Sequence, residues 1–203
     1  MSFILKQYDT PLLRFNASMD SIDPKVEILW HDGQREKLLP LDLELSPEGV
    51  GRWLRHRTIP KNRAYVHALL AKCGLNLNRP MSIIKVCKGL SLNDCYWVVE
   101  EGDNGTFAKN NLYENPFSNA LAALAFTGYG SSPRASLRSS PEFTTNGMLP
   151  KCWRRVEGKV TLYKGGTMGA VNTGYEPYSE FYATQVAAAM DIRAVPYGLS
   201  RGK

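Results

Sequence analysis

Two ionisable side chains in the last quarter of the chain are spaced to grip an anion. Lys164 ends the alternating run Val160-Thr161-Leu162-Tyr163-Lys164, and Glu180 falls in the first turns of a stretch that reads as helix. An ammonium fixed on a rigid strand offsets the charge of a triphosphate at one point. A carboxylate on a neighbouring helix face stops that ammonium wandering and ties helix to sheet. Upstream, Thr144-Thr145-Asn146-Gly147-Met148-Leu149-Pro150-Lys151 is a turn-rich loop whose backbone N–H groups can complete a phosphate cradle. Asn146, Gly147 and Lys151 are its candidate contacts. With one glycine the loop matches neither the P-loop nor the GxGxxG pattern. The weight therefore rests on Lys164 and Glu180, residue types that at strand ends and on helix faces are also ordinary solvated groups.

A second set of charges lies earlier. Arg52, Arg55, Arg57, Lys61 and Arg63 fall in one acid-free segment with Trp53 and Tyr65 beside them. Basic residues interleaved with aromatics can track phosphates and stack on bases, which makes this a candidate nucleic-acid-binding segment. Leu54, Ile59 and Leu69 fit a plainer reading, an amphipathic helical hairpin with a solvated face. The preceding residues 20–48 hold eight acids against three bases, so the layout is dipolar and points to an internal or intermolecular charge contact. Other chemistries find no support. Cys73, Cys87, Cys95 and Cys152 form no CxxC pair, and His31, His56 and His67 lack metal-ligand spacing. No GxSxG elbow is present. No metal is expected, and the thiols read as structural cysteines in a reducing cytoplasm.

These residues need elements to position them. Residues 3–15 read as strand with a turn near Asp9-Thr10-Pro11, and 26–30 as a second strand. Leu39-Pro40-Leu41-Asp42-Leu43-Glu44-Leu45 alternates as an edge strand would, given its proline. Ser46-Pro47-Glu48 opens a helix to about Arg57: serine caps, proline suits the first position and an acid suits the positive end. A second helix is expected over 61–72, stopped by Gly74, then a helical turn over 81–88 and a strand over 95–100. A helix over 119–126 precedes residues 127–141, a Gly/Ser/Pro/Arg-rich stretch expected to be a mobile linker. Then come strand 152–156, the turn Glu157-Gly158-Lys159, strand 160–164, a loop over 172–176 and helix 177–190. The longest apolar run, 120–126, falls far short of the roughly 18 residues of a membrane span, and the N-terminus has no export-signal pattern. A cytoplasmic location without membrane contact is expected.

Strand, turn, strand with a lysine, then helix with a glutamate is the order in which kinases hold nucleotide phosphates. Several segments also resemble the HipA-like serine/threonine kinase family, in its branch from Gram-positive gut bacteria and their mobile elements. They are Ile59-Pro60-Lys61-Asn62-Arg63, Gly89-Leu90-Ser91-Leu92-Asn93-Asp94-Cys95-Tyr96-Trp97, Asn111-Leu112-Tyr113-Glu114-Asn115-Pro116-Phe117-Ser118, Thr145-Asn146-Gly147-Met148-Leu149-Pro150-Lys151-Cys152-Trp153, Leu162-Tyr163-Lys164-Gly165-Gly166 and Glu176-Pro177-Tyr178-Ser179-Glu180. The likeness spans about residues 48–197, in order.

The resemblance implies an α+β fold: a small mixed N-terminal subdomain over 1–110, then a kinase N-lobe-like antiparallel sheet with one helix over 111–203, with the boundary near 105–115. It assigns Lys164 to the nucleotide, Glu180 as its helix partner and residues 144–151 as the phosphate-covering loop, with Thr144 and Thr145 as candidate phosphoacceptors. Family kinases continue into a second lobe with a catalytic aspartate and metal-binding asparagine and aspartate, whereas Asp191 is the last acid here. The expectation is thus a non-catalytic protein-binding or regulatory module of toxin–antitoxin kinase descent, such as a mobile-element inhibitor acting on a kinase or a host defence nuclease. It would need no cofactor, bind ATP weakly at best, and have a protein partner or associate with itself. The alternatives are the N-terminal half of an active kinase binding ATP through Lys164, and nucleic-acid binding through the basic segment.

Overall fold

A computed structural model describes residues 1–133, 137–167 and 174–200. The fold is α+β, with an antiparallel four-stranded sheet ordered β3-β2-β1-β4 and a separate hairpin, β5-β6. β1 (Ser2–Gln7) and β2 (Thr10–Ala17) are joined across Tyr8 and Asp9, and β3 (Val26–His31) and β4 (Tyr96–Glu100) flank them. Alternation on β1 explains the two faces. Phe3 and Leu5 enter the main core, while Ile4 packs on a smaller cluster with Trp97, Val99 and Phe107 behind the sheet.

Between β3 and β4 the chain lays down α1 (Pro47–His56), α2 (Val66–Cys73) and α3 (Pro80–Cys87), with α1 over β3 and α3 over β4. Ser46 caps α1 by accepting from the Gly49 N–H at 3.0 Å, as its sequence predicts. Gly74 ends α2 in the left-handed conformation, φ 73°. Trp53, Leu54, Leu69, Leu70, Met81 and Ile84 bring the helices onto the sheet, each burial stabilising by about 1.5–3 kcal/mol.

A short α4 (Phe107–Asn110) and α5 (Asn119–Thr127) follow. Leu121 and Leu124 of α5, with Phe143 from a 3-10 turn over Pro141–Phe143, belong to the same core cluster as Phe3 and Leu5. Residues on both sides of position 110 thus contribute to the main apolar cluster. β5 (Lys151–Val156), β6 (Lys159–Lys164) and α6 (Glu176–Ala189) complete the order, and α6 buries none of its residues. Among the described residues no helix is long and apolar enough to cross a membrane.

Three expectations on local structure are corrected. Residues 39–45 form no strand: the Leu43 N–H donates to the Pro40 carbonyl at 3.0 Å, and the turn leaves Leu41 in solvent while Leu43 reaches the core. α2 starts at Val66 rather than 61, because turns at 60–65 carry Arg63 inward and leave Tyr65 left-handed at φ 58°. The described part of the 127–141 stretch is a pinned strap. Ser132 Oγ donates to the Lys72 carbonyl at 2.6 Å, Ser139 Oγ donates to the Cys87 carbonyl at 2.9 Å, and Pro133 and Ser140 are buried. Residues 134–136 of that stretch and the start of the expected 172–176 loop lie outside the described residues.

Candidate functional site

The β5–β6 hairpin closes through Glu157 and Gly158, at φ 50° and 78°, the positive pair that a tight two-residue turn requires. Its register sets Lys151 directly opposite Lys164, at the open end of the hairpin. Directly opposed side chains share a face with Cβ atoms about 4.5–5.5 Å apart, so two ammonium groups are brought together. Each finds acceptors. Lys164 Nζ donates to both carboxylate oxygens of Glu180 at 2.9 Å each and to Tyr197 Oη at 2.8 Å. Lys151 Nζ donates to the Asn146 carbonyl at 2.9 Å, inside the 144–151 loop.

The two amines are tuned in opposite directions. Partial burial pulls the Lys164 pKa down, but the hydrogen bonds to Tyr197 and Glu180 outweigh it and hold the amine above the ordinary lysine range. At Lys151 burial wins, helped by repulsion from Arg63 and Lys164 and only partly offset by Glu180, and the pKa is lowered. Lys164 and Glu180 retain about a quarter and a third of their side-chain exposure (25% and 34%), so a ligand can reach them.

The loop beside the lysines is fixed from inside the molecule. Arg63 Nη1 donates to the Glu142 and Thr145 carbonyls at 3.2 and 3.0 Å. Its Nη2 donates to the Lys151 carbonyl at 2.7 Å and to Glu142 Oε2 at 3.3 Å. The other Glu142 oxygen accepts from the Trp153 N–H at 2.8 Å. Both side chains of this pair are fully buried, and burial pushes the Glu142 carboxyl up to about 7 and the Arg63 pKa down. Gly147 takes φ 94°, which favours glycine at that position, and the end of the Lys151 side chain lies where a Cβ would go. Thr144 Oγ1 donates to the Leu90 carbonyl at 2.8 Å and Thr145 Oγ1 to the Pro141 carbonyl at 2.6 Å, so both candidate phosphoacceptor hydroxyls are engaged.

The structure thus gathers Asn146, Gly147, Lys151, Lys164 and Glu180 at one place. It scatters the basic segment. Arg63 is the internal keystone just described, and Arg57 is mostly buried, donating to Asp94 and to the Gly89 and Tyr96 carbonyls. Arg52 pairs with Glu44 and Arg55 with Asp23 at the surface. Lys61 is exposed with no ion-pair partner among the described residues. Trp53 is buried, which removes it as a base-stacking platform. A cleft of about 730 Å³ beside this segment is lined by Arg55, Arg57 and Lys61 but equally by Asp23, Asp42 and Asp94, so its charges balance. Of the cysteines, Cys73, Cys87 and Cys152 are buried, and burial pushes the Cys87 thiol up to about 12.

Two participants escaped sequence reasoning. Glu142 lies 79 positions from Arg63, and no short-range pattern joins them. Tyr197 sits in Val195-Pro196-Tyr197 with no spacing that marks it as the third ligand of an ammonium. Compared with protein-family models, curated proteins and solved structures, the chain finds no match.

Proposed function

We propose that the 144–151 loop, β5, β6 and α6 form the phosphate-holding half of a nucleotide grip of the HipA-like serine/threonine kinase type. Lys164 is the primary cation, Glu180 its tether and Lys151 a second cation one strand away. One observation supports this reading above the rest: Lys164 is hydrogen-bonded to both oxygens of a helix glutamate while a second lysine stands directly opposite it. A solvated strand-end lysine has no need of such a tether. The donors also suit the group to be held, because a triphosphate spreads charge over several oxygens, which two amines and the Gly147 turn can meet separately. Titration of the purified chain with magnesium-ATP tests the reading. Weak binding is expected, abolished by Lys164→Ala and weakened by Glu180→Gln. Binding indifferent to Lys164 would overturn it.

A second reading, a regulatory module that binds a protein partner without phosphotransfer, is favoured by a different observation. Tyr182, Val186 and Met190 of α6 and Ile192 and Val195 beyond it are all more than half exposed, at 62%, 58%, 64%, 54% and 71%. Apolar surface on this scale invites a covering surface, from a kinase, a defence nuclease or a second copy. A change in hydrogen exchange over α6 on adding a captured partner would support it, and unchanged exchange would count against it. Nucleic-acid binding is the weakest of the three readings, since Arg57 and Arg63 are spent inside the fold.

A further inference from the structure

A lysine ammonium has three N–H donors and no more. In this structure all three of Lys164 are used: two on Glu180 and the third on Tyr197 Oη at 2.8 Å, with the tyrosine ring centroid 5.1 Å from the nitrogen. A phosphate oxygen can therefore be accepted only at the expense of one of these bonds. Glu180 holds the ammonium through two charge-assisted bonds, one to each carboxylate oxygen, whereas Tyr197 offers one neutral hydroxyl on a segment with little else holding it.

That segment leaves α6 through Asp191, whose φ of 55° turns the chain out of the helix. Of residues 191–200 only Tyr197 is even partly buried, while Ile192, Val195 and Leu199 lie in solvent. Beyond the Ile192 N–H, which donates to the Ala187 carbonyl at 2.8 Å, the hydrogen bond to Lys164 is the tie that fastens the segment among the described residues. We propose that Tyr197 is a gate on the nucleotide grip: its hydroxyl occupies the place on Lys164 that a phosphate oxygen takes, and nucleotide binding expels it. The inference rests on the reading that Lys164 holds a nucleotide phosphate. The exchange is physically reasonable in both directions. A charged phosphate oxygen is a stronger acceptor for an ammonium than a neutral phenol, which favours opening when nucleotide is present. Without nucleotide the phenol accepts from the ammonium in place of water.

The test uses the whole 203-residue chain. Binding of magnesium-ATP is measured by calorimetry for the wild type, Tyr197→Phe, Lys164→Ala and the double variant. Phenylalanine keeps the ring over the amine and removes only the competing oxygen. Tyr197→Phe is expected to bind roughly tenfold more tightly than the wild type, with Lys164→Ala erasing the gain. ATP is also expected to speed tryptic cleavage at Arg193 in the wild type, as the segment is released. Equal or weaker binding by Tyr197→Phe, with Lys164→Ala still abolishing binding, would overturn the gate and leave the nucleotide grip standing. Absence of Lys164-dependent binding in both the wild type and Tyr197→Phe would overturn both.

Discussion

Two cation–carboxylate pairs in this molecule have opposite surroundings. Arg63 and Glu142 are fully buried, joined across 79 positions of chain, and the arginine also serves the carbonyls of Glu142, Thr145 and Lys151. Lys164 and Glu180 are partly open to solvent, 16 positions apart, and tie the hairpin to a helix that buries nothing. A buried pair gives up hydration on both sides and keeps its place only by satisfying many other groups. An open pair can trade one of its partners for an incoming ligand. The first arrangement builds the loop, and the second leaves a cation beside it that can still be reached.

The largest expected effect tests the buried side of this contrast. Arg63→Ala leaves the Glu142 carboxyl in the core without its cation and strips a donor from three carbonyls. A loss of about 3–5 kcal/mol is expected, read from the shift in the urea midpoint. A loss below about 1 kcal/mol would mean that the buried pair does no more than a surface one.

A pH titration of stability sharpens the same point. Burial raises the Glu142 carboxyl from 4.5 to about 7, so the folded state takes up a proton more readily than the unfolded chain. The contribution is then fully present below pH 4.5 and fades as pH rises through about 7, with a total on the order of 3 kcal/mol. Glu142→Gln should remove that slope, and the urea midpoint measured between pH 4.5 and 8 reads it. A slope that survives the substitution would assign the dependence to another group.

Gly147→Ala probes the joint between the two pairs. The new methyl meets positive φ and the end of Lys151, a flexible chain that can move aside. About 1–2 kcal/mol of destabilisation is expected, mostly from the backbone, together with weaker ATP binding as Lys151 leaves the Asn146 carbonyl. Unchanged stability would show that the loop tolerates another conformation and is less firmly set than Arg63 implies.

How much of this was legible in the sequence follows the range of each interaction. Ser46, Gly74 and the Glu157-Gly158 turn act on neighbouring residues, and local patterns found them. Lys164 and Glu180 were visible because one ends a hairpin strand and the other falls in the first turns of a helix. Leucines at 39, 43 and 45 misled, since alternation records which side chains are apolar and not whether the backbone between them is paired. Arg63 misled more deeply. A run of five cations reads as a surface until a distant glutamate and three carbonyls are known to surround one of them.

The smallest expected effect on stability is the one most telling for function. Lys164→Ala removes a bridge that keeps about a quarter to a third of its exposure, and such pairs contribute about 0–1 kcal/mol. The substitution leaves the hairpin ladder from Lys151 to Val156 intact, and it relieves the opposed-lysine contact with Lys151. The thermal midpoint should therefore barely move, while affinity for magnesium-ATP disappears. That dissociation is what distinguishes a group kept to hold a ligand from one kept to hold the fold. If Lys164→Ala instead unfolded the chain as severely as Arg63→Ala, the two pairs would be equivalent supports, and the tether from Glu180 would need no ligand to explain it.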